Sequence, residues 1–516
     1  MSAASVPTVA RGRAAAVGVA AVVLGGGAGE LVGALVGTSP VAAVGGALID
    51  LAPPWGKDLA IALFGTGDKA ALVVAVAIVL LAVGAGAGLL ARRSPVGAIA
   101  VLAVAGAIGV AASLTRADAG PLAFAPALVG AVVAVGALGV LLPRAESARD
   151  GTDRRAFLAW TGGATVLGAL GAAGGWAVSS GARAAHAVRD AIVLPPASVT
   201  ASVPAGAELG LAHLSPVITP NADFYRIDTA IAVPQLDPSS WRLRIHGLVD
   251  REVTLTWDEL LALPLEESVT TLTCVSNEVG GDLIGTALWL GYPIRHLLAQ
   301  AGVQAGADMV LSTSSDGFTA GTPLEALTDE RNAILAVGMN GDPLPAEHGF
   351  PVRMVVPGLY GYVSATKWVT ELEVTRFADA EGYWTPRGWS ALGPIKLASR
   401  IDVPRRNANL EAGDTVIAGV AWQQHVGVAG VQVLIEPLTP GAAVGASGAA
   451  WQDAQLATSI SDDTWVQWML PWSPAAGQYT IAARAVGRDG HPQTQTQAPP
   501  APDGATGWPS IRVTVA

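Results

Sequence analysis

Cysteine is almost missing from this chain: one occurs in 516 residues, at Cys274. No internal disulfide can form, so that role is excluded. Three roles remain for it: a buried small hydrophobe, a catalytic thiolate, or a single thiolate ligand to a soft metal. Lysine is nearly as scarce, with only Lys57, Lys69, Lys367 and Lys396, and arginine carries the rest of the positive charge. The formal net charge of −11, without a basic patch, argues against a nucleic-acid partner. Histidine is absent before His186, so no apolar segment ahead of it can offer the paired imidazoles that hold a membrane haem. Charge is sparse throughout residues 1–180, which are dominated by Ala, Gly, Val and Leu.

That first part holds five apolar runs near the ~20 residues that a bilayer-spanning helix needs: about Ala14–Val36, Lys69–Ala91, Pro95–Leu114, Pro121–Leu142 and Ala156–Val178. The stretch Val41–Leu63 is apolar too, but prolines and charges interrupt it, and it reads as a loop or interfacial segment. Loop cations set the orientation. Arg11, Arg13, Arg92, Arg93, Arg144, Arg149, Arg154 and Arg155 fall on one side, Lys57, Lys69 and Arg116 on the other. Five spans with the N-terminus inside place everything after Val178 outside the cytoplasm, at the plasma membrane. The run from Thr152 to Leu158, a twin arginine followed at one residue by Phe157 and Leu158, resembles the signal that exports already folded, cofactor-loaded proteins. The glycine-rich runs at 25–29 and 84–88 fit close helix packing better than nucleotide loops. With no internal repeat and no ion path, these helices read as an anchor rather than a transporter.

Residues 181–215, rich in Ala, Pro and Ser, read as a linker. From 216 to 392 short strands and short helices alternate. Trp241–Val249 alternates apolar and polar residues as a half-buried strand does, Thr256 is a candidate helix N-cap, and Tyr292–Gly302 has the pattern of an amphipathic helix stopped by glycine. Met309–Thr313 and Val352–Val356 read as buried strands. From 393 to 516 the pattern is strands only, at Thr415–Ala421, Val431–Glu436, Thr464–Leu470, Gln478–Val486 and Ile511–Val515, which suggests an immunoglobulin-like sandwich. Trp422, Trp465, Trp468 and Trp472 read as its packing. The expected architecture is multi-domain: an N-terminal α-helical transmembrane bundle, an α+β domain and a C-terminal all-β sandwich.

The α+β part carries the specific motifs: the segment around Thr219–Arg226, the segment Thr271–Gly281 around Cys274, and Met339-Asn-Gly-Asp-Pro-Leu-Pro followed by His348-Gly-Phe-Pro-Val-Arg353. After these come Val356–Gly361 and Ala365–Trp368. In that order they resemble the sulfite-oxidase-like family of molybdenum–molybdopterin oxidoreductases, over roughly residues 215–516. The resemblance implies one molybdenum held by a pterin dithiolene and by a cysteine thiolate, a position that Cys274 matches; a soft anionic sulfur suits such a metal. His348, Arg353 and Lys367 match positions that grip the pterin phosphate, with Ser364 and Thr366 as further hydroxyl or backbone donors. Asn221, Tyr225, Arg226 and Asn277 match the edges of the cofactor pocket, and Tyr225 and Arg226 join Cys274 as catalytic candidates. Arg353 on a buried strand calls for an anionic partner, while Asn340, Asp342 and Asp316 read as turn residues.

The departures from the family bear on substrate. Sulfite-oxidising members carry arginines where this chain has Glu278 and Val279, a histidine where it has Asp228, and a tyrosine where it has Phe318. Carboxylates in place of cations would repel a dianion. The expectation is therefore oxygen-atom transfer on an unassigned small substrate, with sulfite oxidation proper as one alternative and a non-catalytic surface binding protein as another. No haem or iron–sulfur ligand set is present, so electrons must pass to a separate redox partner. The family's C-terminal domain often mediates dimerisation, which adds a homodimer to the expectations.

Overall fold

The computed structural model describes residues 9–516 other than 54–55, 57–58, 60–62, 65–66, 117–118, 148–150, 180–188, 190, 442 and 446. Lys57 and Arg149 of the charge asymmetry, residues 181–188 of the expected linker and part of Val41–Leu63 lie outside the described residues. The chain divides into two compact units, Met1–Ala187 with Thr229–Gln235, and Val188–Asp228 with Leu236–Ala516.

The first unit is helical: α1 (Arg11–Val36), α2 (Pro40–Leu51), α3 (Asp68–Ala91), α4 (Pro95–Leu114), α5 (Ala125–Ser147) and α6 (Gly151–Ser179). Five of these are long and apolar enough to cross a membrane, as the hydropathy pattern predicts. α1 is central and touches α3, α5 and α6. Small residues make that approach possible: a Cβ on Gly18 would run into the carbonyl of Gly84, one on Gly88 into that of Ala14, and one on Gly27 into that of Gly168. Of the loop or interfacial segment expected over Val41–Leu63, the loop reading needs correction for the first part, because α2 is a helix. Its signal is local. Ser39 caps it by accepting from the Ala42 amide at 3.1 Å, Pro40 stands in the first turn, and both residues favour a helix start. Glu30 of α1 completes the corner, accepting from Ser39 Oγ at 3.0 Å and from the Val41 amide at 3.1 Å.

The second unit opens with an irregular stretch that is stitched to its neighbours. The Ser198 amide donates to Leu265 O at 2.7 Å, and the Leu209 amide to Gln467 Oε1 at 2.7 Å. Two sheets follow. One has the order β2 (Val253–Thr256), β1 (Arg242–Gly247), β10 (Val369–Thr375), β5 (Met309–Ser314), β6 (Thr319–Pro323), with β1 and β10 parallel. The other runs β3 (Glu266–Thr273), β4 (Ile284–Pro293), β7 (Ile334–Met339), β8 (Asp342–Pro343), with β9 (Arg353–Val355) also paired to β7. Short helices connect them. Thr256 and Glu259 close a capping box on α7 (Trp257–Leu261), and α8 (Ile294–Ala301) stops at Gly302 with φ 72°, where glycine costs least.

The C-terminal part has no helix among its described residues. One sheet is β11 (Ala398–Val403), β13 (Thr415–Trp422), β17 (Val466–Trp472), β16 (Gln455–Leu456). The other is β12 (Asn409–Leu410), β19 (Ser510–Val515), β18 (Gly477–Gly487), β14 (Val428–Pro437), β15 (Gln452–Asp453). Alternate residues of both sheets, among them Ile417, Trp468, Val433, Ile481 and Val513, share one apolar core, which makes this part an all-β sandwich. Trp422, Trp465 and Trp468 are buried, as their reading as packing residues requires.

Candidate active site

Cys274 follows β3 directly and is 8% exposed. Its amide donates to Leu283 O at 3.0 Å. The turn beyond it is closed by Asn277, whose amide donates to Cys274 O at 3.1 Å and whose Oδ1 accepts from the Leu283 amide at 2.9 Å. Asn277 therefore shapes the loop that presents the thiol. Burial pushes the Cys274 thiol up from its ordinary value, against the hydrogen bonds of Ser276 and the charge of Lys367. A buried thiol of this kind stays protonated on its own and would release its proton when a metal cation takes the proton's place on sulfur.

Strand β3 is braced from the sandwich. Thr271 Oγ1 accepts from the Trp465 amide at 2.8 Å, and Gln424 Nε2 donates to Thr271 O at 3.1 Å and to Thr273 Oγ1 at 3.0 Å. The motif around Cys274 includes Thr271 but gives no sign that Gln424 and Trp465 meet it, because the residues that meet here are about 150 positions or more apart.

His348, in the short turn Ala346–His348, Arg353 on β9 and Lys367 form a group of polar side chains deep in the unit, at 3%, 5% and 9% exposure. No carboxylate pairs with Arg353 among the described residues. Its Nη1 donates to His348 O at 3.1 Å, its Nε to Met354 O at 3.3 Å, and the guanidinium lies 5.0 Å over the Trp289 ring. Burial pulls Arg353 down to about 10. Lys367 Nζ donates to Asp228 Oδ2 and to Glu347 O, both at 2.9 Å. Burial nevertheless outweighs the attraction of Asp228 and pulls the ammonium down to about 8. His348 is pulled down to about 4, first by burial and then by Arg353 and Lys367, so the ring is neutral at pH 7. Its Nε2 lies 3.2 Å from Asn221 O; a carbonyl only accepts, so Nε2 carries the proton.

Arg226 Nε donates to the same Asp228 Oδ2 at 3.0 Å, with its side chain 40% exposed. Asp228 thus lies between two cations, which corrects the expectation that it repels an anionic ligand. With three cations and this one paired carboxylate, the group keeps an excess of positive charge. Among the described residues Arg353 likewise lacks the protein anion that its buried strand leads one to expect, and a buried charge without a partner is costly.

Asn340 does more than make a turn. With Asn340 at φ 54° and Gly341 at φ 88°, the β7–β8 hairpin has the left-handed pair that Asn-Gly supplies. The Asn340 side chain then donates to Thr219 O at 2.9 Å and to Asn221 Oδ1 at 2.8 Å, and accepts from the Leu288 amide at 2.9 Å. It holds Asn221 in place, and Asn221 O in turn orients His348. Tyr225 stacks on Phe224 at 5.3 Å between centroids. Burial pushes its phenol up, Cys274 adds to that and Arg353 opposes it, so Tyr225 lies within the electrostatic reach of both ends of the site.

The hydroxyls of Ser364 and Thr366 are not available as expected. Ser364 Oγ donates to Tyr360 O at 3.0 Å. Ser312 Oγ gives its proton to Ala320 O at 3.2 Å, so Thr366 Oγ1, 2.7 Å from it, is the donor in that pair. Both side chains, fully buried, tie the turn before Lys367 together. The structure thus brings Asn221, Tyr225, Arg226, Cys274, Asn277, His348, Arg353 and Lys367 into one region and turns Ser364 and Thr366 inward.

Comparison with known proteins gives a consistent result. The family described as the oxidoreductase molybdopterin binding domain matches residues 230–384. Human mitochondrial sulfite oxidase is 30% identical over 331 residues, 55% of this chain and 58% of its own. An uncharacterized oxidoreductase, YuiH, of Bacillus subtilis (strain 168) is 33% identical over 157 residues, 30% of this chain and 76% of its own. Among solved structures, the sulfane dehydrogenase SoxCD of Paracoccus pantotrophus is similar over 55% of this chain and 76% of that one, at 22% identity and a TM-score of 0.48. The chain spans little more than half the length of the sulfite oxidase.

Proposed function

Since this chain belongs to the sulfite-oxidase-like family of molybdenum–molybdopterin oxidoreductases, we propose that it is a membrane-anchored member that transfers an oxygen atom to or from a small substrate on the extracytoplasmic side. The observation that carries this reading is Arg353: a guanidinium 5% exposed, with no carboxylate partner among the described residues. A phosphate would supply the missing charge and accept in bidentate fashion. The donor set fits the cofactor at its other end too, because the single buried thiol is a soft ligand.

In this reading Cys274 holds the metal, Arg353 and Lys367 neutralise the pterin phosphate, and Arg226 guards the exposed edge. Neutral His348 donates to Asn221 O and so fixes that edge of the pocket, while Asn277 sets the loop. Tyr225, a phenol kept protonated by burial, is a donor beside the reacting position. When bound, the molybdenum centre supplies two-electron chemistry. The balance is substrate plus water giving oxygenated substrate, two electrons and two protons, or the reverse, with the electrons exchanged with a separate redox partner. Sulfite oxidation proper remains the second reading, favoured by the paired state of Asp228 and opposed by Glu278 and Val279 beside Cys274.

The five apolar helices support a bilayer anchor. The arginines of the described loops and the exposed pair Arg154 and Arg155 support an N-terminus inside and export of the folded second unit. Residues 216–392 then form the cofactor-binding domain, and 393–516 an immunoglobulin-like domain of the kind that pairs two copies.

Full-length protein from a host that makes molybdopterin should contain about one molybdenum per chain. Cys274→Ser should keep the circular dichroism spectrum and lose turnover in a screen of sulfite and sulfoxides with artificial electron carriers. Protein devoid of molybdenum, or a serine variant with undiminished turnover, would sink the reading.

A further inference from the structure

Lys367 is the only lysine in the buried group around Arg353, and its side chain is 9% exposed. An ammonium has three N–H donors. Two of them are spent inside the protein, on Asp228 Oδ2 and on Glu347 O, both at 2.9 Å. The third has no partner among the described residues, and neither has Nη2 of Arg353. Asp228 lies deeper than either cation that it pairs with. Its side chain is 4% exposed, against 9% for Lys367 and 40% for Arg226, whose Nε donates to the same Oδ2 at 3.0 Å.

The surroundings of this ammonium oppose its charge. Burial pulls Lys367 down from 10.5 to about 8, Arg353 and Arg226 push the same way, and Asp228 is the anion that pulls it back. The other ionisable groups near it give no such support. His348 is neutral at pH 7, the Glu347 carboxylate acts on His348, and burial keeps the Cys274 thiol protonated. A lysine this deep that lost its anion would give up its proton rather than stay charged beside two guanidinium groups. An arginine in its place would keep its charge.

We infer that Asp228 is a positioning residue for the cofactor site: it holds Lys367 charged and in place, and leaves its third N–H for the pterin phosphate. Asp228 acts through Lys367 and needs no contact with the cofactor. Because the same oxygen also accepts from Arg226, the one carboxylate is shared, and the cations Arg226, Arg353 and Lys367 still outnumber it. The inference rests on the cofactor reading above and deepens it. Its consequence is that retention of the cofactor becomes dependent on pH once the carboxylate is gone.

The test dialyses full-length, molybdenum-loaded protein against metal-free buffer and follows the molybdenum left per chain with time. The wild-type protein should lose it at similar rates at pH 6 and pH 8. Asp228→Asn should lose it several-fold faster at pH 8 than at pH 6, and Asp228→Glu should behave as the wild type does. Adding Lys367→Arg to Asp228→Asn should abolish the pH difference, a rescue that loss of packing alone would not give. Equal rates at the two pH values in Asp228→Asn, or a difference that the arginine leaves in place, overturn the inference. A second readout needs no cofactor. Between about 8, where folded Lys367 loses its proton, and its ordinary 10.5, the unfolded chain binds a proton that the folded chain does not, so the stability of the apoprotein rises with pH. In thermal unfolding, Asp228→Asn should start that rise at lower pH, and Lys367→Met should erase the shift; an unmoved onset overturns the inference as well. Absence of molybdenum from every preparation overturns the cofactor reading instead, and the apoprotein comparison still decides whether Asp228 holds the charge on Lys367.

Discussion

The Cys274 thiol, the Arg353 guanidinium and the His348 imidazole all sit out of water, and burial disfavours the charged form of each. The residue types were legible as motif positions; their ionisation was not, because it depends on partners far along the chain. His348 gives the clearest consequence. Its pKa falls from 6.5 unfolded to about 4 folded, so between those values the unfolded chain binds a proton that the folded chain refuses. Stability is therefore full above pH 6.5, falls as the pH drops toward 4, and levels off below. The apoprotein, made in a host without molybdopterin, should lose at most about 3 kcal/mol over that window. His348→Gln should flatten the dependence, as followed by thermal unfolding at each pH. An anionic ligand beside the ring would shrink the same slope.

Among the elements, those with local signals were legible: the capped start of α7 at Thr256, the glycine stop of α8 at Gly302, and the alternating strands of the sandwich. α2 was missed because its apolar run is interrupted after twelve residues, although Ser39 and Pro40 mark its start. The β7–β8 hairpin was read correctly as a turn and too modestly as a part of the site. Asn340 combines a left-handed backbone with three side-chain hydrogen bonds. Asn340→Ala leaves the Leu288 amide without that acceptor and strains the turn. It should cost about 2–4 kcal/mol, read by denaturant unfolding, and should loosen Asn221. Asp342→Ala in the same hairpin, an exposed position, should change stability by less than about 0.5 kcal/mol.

At the scale of the whole molecule, residues 216–228 and 236–392 fall with the sandwich within one compact unit. Gln424 and Trp465 brace β3 and so tie the two parts of that unit together. Trp465 is 2% exposed, its indole N–H donates to Val217 O at 2.9 Å, and its amide to Thr271 Oγ1 at 2.8 Å. Cutting the chain after residue 392 would uncover buried polar groups of β3. Such a truncated unit should be digested by trypsin at concentrations that leave the complete one intact. Equal resistance of the two forms would show that the sandwich does not support the site.

The sequence by itself determined the apolar helices, the strand-rich second half and the residues that carry the family motifs, because periodicity, turn residues and contiguous motifs are local properties. Only the tertiary structure decided what the side chains of those motifs do. It turned Ser364 and Thr366 inward, placed Asp228 between Arg226 and Lys367, left Arg353 without a carboxylate among the described residues, and left Glu278 exposed in the turn after Cys274. These outcomes depend on which distant groups share a buried volume, and charge and hydrogen bonding there are settled by neighbours in space rather than in sequence.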